Sequence, residues 1–389
     1  MRLLFLVLSI LFVSFCTEPK NDKNNDTPKE PFRLLWSYSI TGGGAKTEVE
    51  PTFINDSLIV ISDKNYITCL RSDSGKVKWR CEVPGGGRTT VQNFLFDETQ
   101  LYCWQYNHGL YAINLLSGEI TWSMDSAAYY EKHGLGDNYY YAVASHKIYE
   151  VAKSGELAKS INTIHPSFMA TTYENNLLSL QGWYDGPDAV GQIECYTPDS
   201  HELQWDYYLG HGGFYMCYPV IEDGIMYTGT VWGSALGCAV IALEPATGHE
   251  IWQQYSYGCF QIKLEGDYLY YCTGGSVVKL DKGTGNELWQ TSLLTTDERA
   301  GLAVLGNYVY KCHAGSLFIL NAETGDILMQ TRGPDNSTVR KIIAEQGKLF
   351  LQTYKHLYAL EPFNPEVLTA AGNQNPGFHN SLKPESESR

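Results

Sequence analysis

The sequence has few of the patterns that mark a catalytic or metal centre. Its 10 cysteines form no C-x-x-C motif and no adjacent pair, which excludes the common zinc and dithiol redox motifs. Its 10 histidines form no H-x-H or H-E-x-x-H pattern of the kind that binds a catalytic metal. No G-x-S-x-G sequence is present, so a hydrolase nucleophile elbow is not indicated either. We therefore predict no catalytic residues, no metal and no cofactor.

Positive charge is also scarce. Lys and Arg number 28 against 43 Asp and Glu, which gives a net charge of −15. Such a field repels phosphate backbones, and nucleic acid is not expected as a partner. The glycine-rich stretch TGGGAKTEVE, residues 41–50, has the composition of a phosphate loop, but Ala45 separates Gly44 from Lys46. A phosphate loop needs the lysine directly after the last glycine, so the spacing excludes this motif.

Residues 1–16 have the layout of an export signal. Arg2 precedes a run of almost unbroken apolar residues that ends before Cys16 and is too short to span a bilayer comfortably. Residues 17–32 are polar and carry too little apolar surface to fold, which predicts a disordered tether. Together these features resemble a bacterial lipoprotein signal, with Cys16 as the candidate lipidation site. We expect an exported protein, in the periplasm or at the cell surface, anchored in the membrane through a lipid at Cys16. The alternatives are ordinary signal cleavage and an uncleaved anchor.

Glycine and aromatic residues are abundant, with 37 glycines, 28 tyrosines and nine tryptophans, and they belong to an internal repeat. A tight turn followed by a tryptophan strand recurs every 37 to 47 residues. Its copies are DSGKVKW, LSGEITW, KSGELAK, DSHELQW, ATGHEIW, GTGNELW and ETGDILM. Glycine permits the positive φ that such a turn requires. A repeat of this length supplies four strands, as in the blade of a β-propeller.

The repeats are incomplete at the two ends of the chain. An alternating strand precedes each turn and occurs eight times, the last copy being HLYAL at 356–360, but the turn and tryptophan strand occur only seven times. The segment RLLWSYSI, residues 33–40, has a tryptophan strand with nothing before it. We therefore predict an all-β, eight-bladed propeller of four-stranded blades at 33–362, closed by an N-terminal strand that completes the last blade. Residues 363–389 are read as a polar C-terminal tail.

The repeat sequence resembles that of the PQQ-like β-propeller family, which has a tryptophan-docking motif in each blade. LYAINLLSGEITW at 110–122 and VIALEPATGHEIW at 240–252 carry the resemblance, whereas Lys159 and Met329 stand where tryptophan is expected. The family includes calcium-dependent quinoprotein dehydrogenases, which are similar in fold but longer and carry two adjacent cysteines and an acidic calcium site. This sequence has no adjacent cysteines, and Asp185 and Asp188 are read as parts of a solvated turn.

The short lipid-anchored members of the family look like the propeller subunit of the outer-membrane β-barrel assembly machinery. The resemblance implies a monomeric, non-catalytic scaffold at the cell envelope that binds a protein or glycan and takes part in outer-membrane protein assembly. Two alternatives stay open, namely a quinoprotein-like oxidoreductase with degenerate motifs and a surface lipoprotein that binds a glycan or peptide.

One face of the predicted propeller is expected to bind the partner. This connection face carries the links between blades and the loops between middle strands, of which 181–192 and 230–237 are the longest, while the opposite turn face has only short turns. Variable loops on a rigid scaffold commonly carry function, and Trp, Tyr and Arg are common hot-spot residues. The alternative is that these aromatics fill the channel mouth or pack between blades. The predicted binding residues are Arg88, Trp183, Tyr184, His211, Tyr215, Trp232, Arg299 and Arg340.

Without Cys16 the chain has nine cysteines, most of them in apolar strand patterns where a thiol behaves as a small hydrophobic group. Buried free thiols are therefore expected. Cys69 and Cys81 lie about equally far from the turn SDSG, and a disulfide between them across a hairpin is the alternative.

Overall fold

The computed structural model describes residues 31–40, 50–63, 66–83, 94–105, 109–124, 133–185, 188–197, 200–211, 215–231, 238–293, 301–313, 315–334 and 337–367. The secondary-structure elements within these ranges are all strands. Among them, no helix has the length and apolarity needed to cross a membrane. A compact unit extends from Phe32 to Phe363, against the 33–362 expected from the repeats. Cys16 lies outside the described residues.

The strands in chain order are β1 (Leu34–Ser39), β2 (Thr52–Asn55), β3 (Leu58–Asp63), β4 (Tyr66–Arg71), β5 (Val77–Glu82), β6 (Leu95–Phe96), β7 (Gln100–Gln105), β8 (Gly109–Asn114), β9 (Ile120–Met124), β10 (Gly134–Leu135), β11 (Tyr139–Ala152), β12 (Leu157–Tyr173), β13 (Asn176–Asp185), β14 (Asp188–Tyr196), β15 (Leu203–His211), β16 (Tyr215–Met216), β17 (Val220–Glu222), β18 (Ile225–Val231), β19 (Ala239–Leu243), β20 (Glu250–Tyr255), β21 (Gln261–Glu265), β22 (Tyr268–Cys272), β23 (Ser276–Asp281), β24 (Glu287–Ser292), β25 (Leu302–Leu305), β26 (Tyr308–His313), β27 (Ser316–Asn321), β28 (Ile327–Thr331), β29 (Val339–Glu345), β30 (Lys348–Thr353) and β31 (His356–Leu360).

These strands form a propeller of antiparallel sheets. Five sheets have four strands each, in the orders β2-β3-β4-β5, β6-β7-β8-β9, β21-β22-β23-β24, β25-β26-β27-β28 and β1-β31-β30-β29. The sheet β16-β18-β19-β20 has a fifth strand, β17, which also pairs with β18. The all-β propeller with four-stranded blades is thus confirmed.

The predicted number of blades is wrong, because the described strands form seven sheets rather than eight. The sheet from β10 to β15 has six strands and contains the residues of two sequence repeats. Its β11 has 14 residues and its β12 has 17, so each is much longer than the corresponding strands elsewhere. β12 pairs with β11 through Leu157–Asn162 and with β13 through Ser167–Tyr173, so this one strand continues from the third repeat into the fourth, and the two repeats share one sheet.

The first strand closes the propeller as predicted. β1 pairs with β31 in antiparallel register, with Trp36 opposite Ala359 and Ser39 opposite His356. Trp36 then packs in a core cluster that joins the last sheet, through Phe350, to the first, through Ile59. This pairing covers the edge that β31 would otherwise expose, and β1 becomes the outer strand of the last sheet.

A tryptophan of one sheet docks on a turn glycine of the next. The ring of Trp36 lies against Gly75, where an added Cβ would be 2.5 Å from a ring carbon. Gly75 also has φ of +65°, a conformation that side chains other than glycine seldom adopt. The Trp36 indole N–H donates to the carbonyl of Ser72 at 3.0 Å. The same docking recurs for Trp79 on Gly118, Trp122 on Gly155, Trp205 on Gly248, Trp252 on Gly285 and Trp289 on Gly325.

The fourth repeat turn has no glycine and receives no tryptophan. His201 occupies the glycine position, with φ of +55°, and Lys159 occupies the tryptophan position of the preceding repeat. His201 Nε2 lies 2.8 Å from the Glu150 carboxylate, which is buried, and Glu150 is the register partner of Lys159. A polar contact therefore replaces the indole at this junction.

All nine cysteines in the described residues are buried thiols, as expected. Cys69 lies opposite Trp79, and Cys81 lies opposite Ile67, so the two cysteines are offset by two residues rather than paired. Burial raises the pKa of Cys69 to about 12 and that of Cys81 to about 11. The alternative disulfide between them is not formed in the structure.

Candidate functional site

The segment expected to be the longest loop is instead an extended hairpin. β13 and β14 pair without interruption from Leu177 opposite Tyr196 to Asp185 opposite Asp188, and only two residues connect them. The expectation of a long loop at 181–192 was therefore wrong, although Asp185 and Asp188 do flank a turn. The glycines and aspartates of this segment interrupt the alternation of apolar and polar residues that is typical of a strand. Its backbone hydrogen bonds nevertheless continue the sheet to the connection face.

The register of three strands brings two predicted residues into one row. Trp183 lies opposite Val190, and Val190 lies opposite His211 at the end of β15. Tyr184 follows Trp183 in β13, opposite Ala189. The backbone thus places Trp183, Tyr184 and His211 at the same end of one sheet.

The Trp183 ring stacks on the imidazole of His165. The ring centroids are 3.5 Å apart and the planes differ by 8°. His165 is itself held, because its amide donates to Gln181 Oε1 at 3.3 Å and its carbonyl accepts from the Thr163 hydroxyl at 2.7 Å. The half-buried Trp183 is therefore an anchored ring rather than a free loop side chain. Sequence reasoning missed His165, since a single histidine 18 positions away carries no signal of this contact.

A buried polar network lies in the same hairpin. The carboxylate of Glu194 accepts hydrogen bonds from the side chains of Gln181 and Tyr196, and from Gln192 Nε2 at 3.5 Å. Gln181 also donates to the Ser179 hydroxyl at 3.3 Å. A buried carboxylate is tolerated only when donors satisfy its oxygens, and here several side chains do so. Burial and the bond to Glu194 raise the pKa of Tyr196, which keeps this hydroxyl protonated as a donor.

Three exposed tyrosines lie in or after the outer strands of this sheet and the next one. Tyr208 of β15 is 51% exposed, Tyr255 at the end of β20 is 72% exposed, and Tyr257 just beyond it is 84% exposed. The Ser256 amide donates to the carbonyl of Cys238 at 2.9 Å, which places this segment beside the start of β19. We name Trp183, Tyr208, Tyr255 and Tyr257 the aromatic rim. Sequence reasoning missed its three tyrosines, since nothing separates a surface tyrosine from a buried one in so aromatic a chain.

Two further predicted residues belong to other sheets. Tyr215 begins β16 and lies opposite Val231. Arg340 lies in β29, and its guanidinium carbon is 4.7 Å from the ring centroid of Tyr354, in the hairpin between β30 and β31. Three predicted residues lie outside the described residues, namely Arg88, Trp232 and Arg299. For Tyr184, His211 and Tyr215 the structure describes the backbone alone. Their role in binding stays a prediction.

A hydrogen bond links two sheets that are far apart in the chain. Gln261 Nε2 lies 3.3 Å from Glu50 Oε1, and Gln261 Oε1 accepts from the Leu302 amide at 2.8 Å. Glu50 precedes the first strand of one sheet, and Gln261 begins the first strand of another. Both are therefore at the connection-face ends of inner strands, toward the middle of that face.

The donor residues do not fit the metal and quinone set of the quinoprotein dehydrogenases. Within the described ranges, no three His, Cys, Asp or Glu side chains are grouped so that they could hold a metal ion. The whole sequence also lacks the adjacent cysteines that mark those enzymes. Asp185 and Asp188 are backbone register partners at the end of the sheet.

Comparison with protein families and solved structures gives consistent results. The sequence profile of the family described as outer membrane protein assembly factor BamB matches residues 33–159 and 273–367. The structure of BamB from Moraxella catarrhalis is similar, with a TM-score of 0.62 and 14% identity over 85% of this chain and 97% of that one. A quinohemoprotein alcohol dehydrogenase from Pseudomonas putida gives a TM-score of 0.61 and 12% identity over 85% of this chain and 76% of that one.

Sqt1 from Saccharomyces cerevisiae gives a TM-score of 0.64 and 12% identity over 86% of this chain and all of the other. At these identities the solved structures show the fold alone. A search of curated proteins finds no significant match.

Proposed function

The chain belongs to the family of the outer membrane protein assembly factor BamB, and from this premise we propose that it is a non-catalytic binding scaffold of the cell envelope. In this proposal it contributes to outer-membrane protein assembly by docking a protein partner on its connection face. Fold likeness does not decide this, since a dehydrogenase shares the fold.

The aromatic rim is the observation that carries the proposal. Tyr255 and Tyr257 expose most of their surface, and Trp183 is held in place by its stack on His165. Rigid aromatic side chains bury large areas at little entropic cost and dominate many interfaces. A specific interface needs about 800 Å² on each partner. The extended β13–β14 hairpin adds area on the connection face, while the turn face offers only short turns.

Site-specific crosslinking in cells tests the docking face. A photo-crosslinking residue is placed at Tyr257 or, as the control, at Leu116, which is 78% exposed in a repeat turn on the turn face. We expect the Tyr257 probe to give an adduct with a subunit of the outer-membrane assembly machinery, and the Leu116 probe to give none. Adducts from Leu116 alone would contradict the choice of face. An adduct with a glycan and no protein would favour the surface-binding alternative.

The double substitution Trp183→Ala and Tyr184→Ala measures the same docking in energetic terms. We expect it to weaken partner capture by about tenfold or more, since such anchors each contribute more than about 1 kcal/mol. The unfolding temperature should change little, because the hairpin end is not part of the core between sheets. Leu116→Ala is the matched control and should leave capture unchanged. Cells that lack the protein should also contain fewer folded β-barrel proteins in the outer membrane.

The absence of catalysis is tested separately. We expect no change in the absorption spectrum when the pure protein is mixed with pyrroloquinoline quinone and calcium. A saturable spectral shift would instead favour the quinoprotein-like oxidoreductase.

Attachment to the membrane is proposed to depend on a lipid at Cys16. The proposal rests on the position of Cys16 between the apolar segment and the polar tether. Cys16→Ser should move the protein from the membrane fraction to the soluble fraction. Unchanged membrane retention, with no lipid found on the N-terminal peptide by mass spectrometry, would exclude lipidation.

A further inference from the structure

Two thiols from neighbouring sheets meet in the core. Cys217 follows β16, and Cys259 lies two residues before β21, the first strand of the next sheet. Their sulfur atoms are 3.6 Å apart. Both side chains are buried, with 1% and 0% of their surfaces exposed.

The backbone of β18 fixes both cysteines. The Cys217 amide donates to the carbonyl of Gly229 at 2.9 Å, and the Cys259 amide donates to the carbonyl of Thr230 at 2.9 Å. The two cysteines are therefore tied to consecutive residues of one strand. Gly229 also makes room for the pair, since an added Cβ would be 2.5 Å from Cys259 Cβ and 2.9 Å from its sulfur.

We propose that Cys217 and Cys259 form a disulfide when the protein folds in an oxidising compartment, and that this bond staples the two sheets together. One thiolate attacks a sulfur of a small-molecule or protein disulfide and releases one thiol, which leaves a mixed disulfide on the protein. The second cysteine then attacks the protein sulfur and releases the second thiol. Two electrons pass to the oxidant, and the two thiol protons leave with the released thiols.

The reaction belongs to folding rather than to the folded state. Burial and the neighbouring Cys217 thiol raise the pKa of Cys259, and the thiolate is the reactive form. The exchange therefore takes place before the two sheets close over the pair. The bond would cross-link a chain segment of 42 residues, counted as 259 − 217, which restricts the unfolded state.

Two other cysteines surround the pair and provide the internal control. The Ser256 amide donates to the carbonyl of Cys238, and the Phe260 amide donates to the carbonyl of Cys272, each at 2.9 Å. Both cysteines are thus near Cys259, but its sulfur–sulfur contact is with Cys217. The inference predicts one linkage among the pairs that these four thiols could form.

Peptide mapping after refolding tests the linkage. The full-length chain is refolded in reduced and oxidised glutathione and quenched with acid, and free thiols are then alkylated in denaturant. Trypsin is unsuitable because no Lys or Arg lies between Lys159 and Lys263, but a glutamate-specific protease separates the four cysteines. Its peptides are 203–222 with Cys217, 223–250 with Cys238 (the Glu244–Pro245 bond is not cleaved), 251–265 with Cys259 and 266–287 with Cys272.

We expect peptides 203–222 and 251–265 to be recovered as one species, two hydrogens lighter than their sum, with Cys238 and Cys272 alkylated. Cys217→Ser should abolish this species, and Cys238→Ser should retain it. The oxidised wild type should also melt about 5 °C above the Cys217→Ser variant. This difference should disappear when the wild type is reduced in denaturant and then refolded with its thiols kept reduced. Recovery of both peptides fully alkylated, or linkage of either cysteine to another one, would overturn the inference. The wild-type map decides even if a variant fails to fold.

Discussion

Neighbouring repeats are joined in two different ways. At six junctions a tryptophan lies on a turn glycine of the next repeat, so closely that a Cβ on the glycine would be 2.5–2.8 Å from the nearest atom. At one junction Lys159 replaces the tryptophan and His201 replaces the glycine, and His201 contacts the carboxylate of Glu150 instead. Met329 likewise occupies a position where tryptophan is expected. The next repeat ends with β31, and the sequence EPFNP that follows β31 has no turn glycine.

The comparison shows that the tryptophan and the glycine form one unit. The indole excludes a Cβ at the turn, and a turn without an indole can carry one, as His201 does at φ of +55°. A repeat that loses its tryptophan therefore loses the reason for glycine in the repeat that follows. This accounts for departures from the repeat pattern that lie 42 residues apart, counted as 201 − 159.

Removing a docked tryptophan should have the largest effect, and Trp36 is the most informative because it also closes the propeller. Trp36→Ala leaves a cavity between the first and last sheets and loses the bond to Ser72, which should lower the free energy of unfolding by about 3–5 kcal/mol. Urea unfolding measures this change. Deletion of residues 17–30 is the control and should have almost no effect. Equal losses from the two changes would contradict closure by the first strand.

Adding one methyl group at a docked turn should have the next largest effect. At Gly285, with φ of +72°, an alanine Cβ would be 2.6 Å from the ring of Trp252. The unfavourable backbone conformation and the clash together should lower the free energy of unfolding by about 2–4 kcal/mol.

A double-mutant cycle with Trp252→Ala separates these two causes. If docking couples the residues, Gly285→Ala should cost less in the Trp252→Ala background, where only the backbone strain of about 1–2 kcal/mol remains. An identical cost in both backgrounds would show that the glycine serves the turn alone.

The repeat made much of this architecture predictable from the sequence. A tryptophan and a glycine at fixed spacing identify the docked junctions, and the surplus strand at each end predicts closure by β1. The merging of the third and fourth repeats was not predictable, because it depends on where β12 stops pairing with β11 and starts pairing with β13. Those partners are chosen by tertiary packing, which a local pattern such as LAKSINTIHPSFMATTY does not contain.

The candidate site was less predictable than the fold. Trp183 could be selected because an aromatic pair beside glycines is unusual on a surface, but its stacking partner His165 comes from another strand. Tyr255 ends β20, the last strand of its sheet, Tyr257 lies two residues further on, and both are exposed. Exposure of this kind follows from topology, and residue type alone does not reveal it.

Converting the exceptional turn to the common one should have a smaller effect. His201→Gly relieves a positive φ, which favours the variant by about 1 kcal/mol, but it leaves the buried Glu150 without this partner, which costs about 1–3 kcal/mol. We expect a net loss of about 1 kcal/mol by urea unfolding, even though glycine is the common residue at this position. A clear gain in stability would show that the contact with Glu150 contributes less than the strain of the positive φ costs.

The smallest expected effect concerns the acid dependence of a docked junction. Asp97 lies 3.3 Å from the Lys153 ammonium group, and the carbonyl of Lys153 accepts the indole N–H of Trp122. Partial burial opposes ionisation of Asp97, but hydrogen bonds from the Thr99 and Gln100 amides and from the Tyr102 hydroxyl outweigh it and lower its pKa to about 2. Because the folded pKa lies below the unfolded value of about 3.9, the carboxylate stabilises the fold above that value, and its contribution is lost as the pH falls toward 2.

Asp97→Asn should therefore reduce stability at pH 7 by about 1 kcal/mol or less, given solvent screening, and should flatten the fall in stability between pH 4 and pH 2. Thermal unfolding across this range measures both effects, with Glu98→Gln, the neighbouring acidic residue, as the control that should leave the acid limb unchanged. A steep acid limb that persists in Asp97→Asn would assign the pH dependence to other carboxylates.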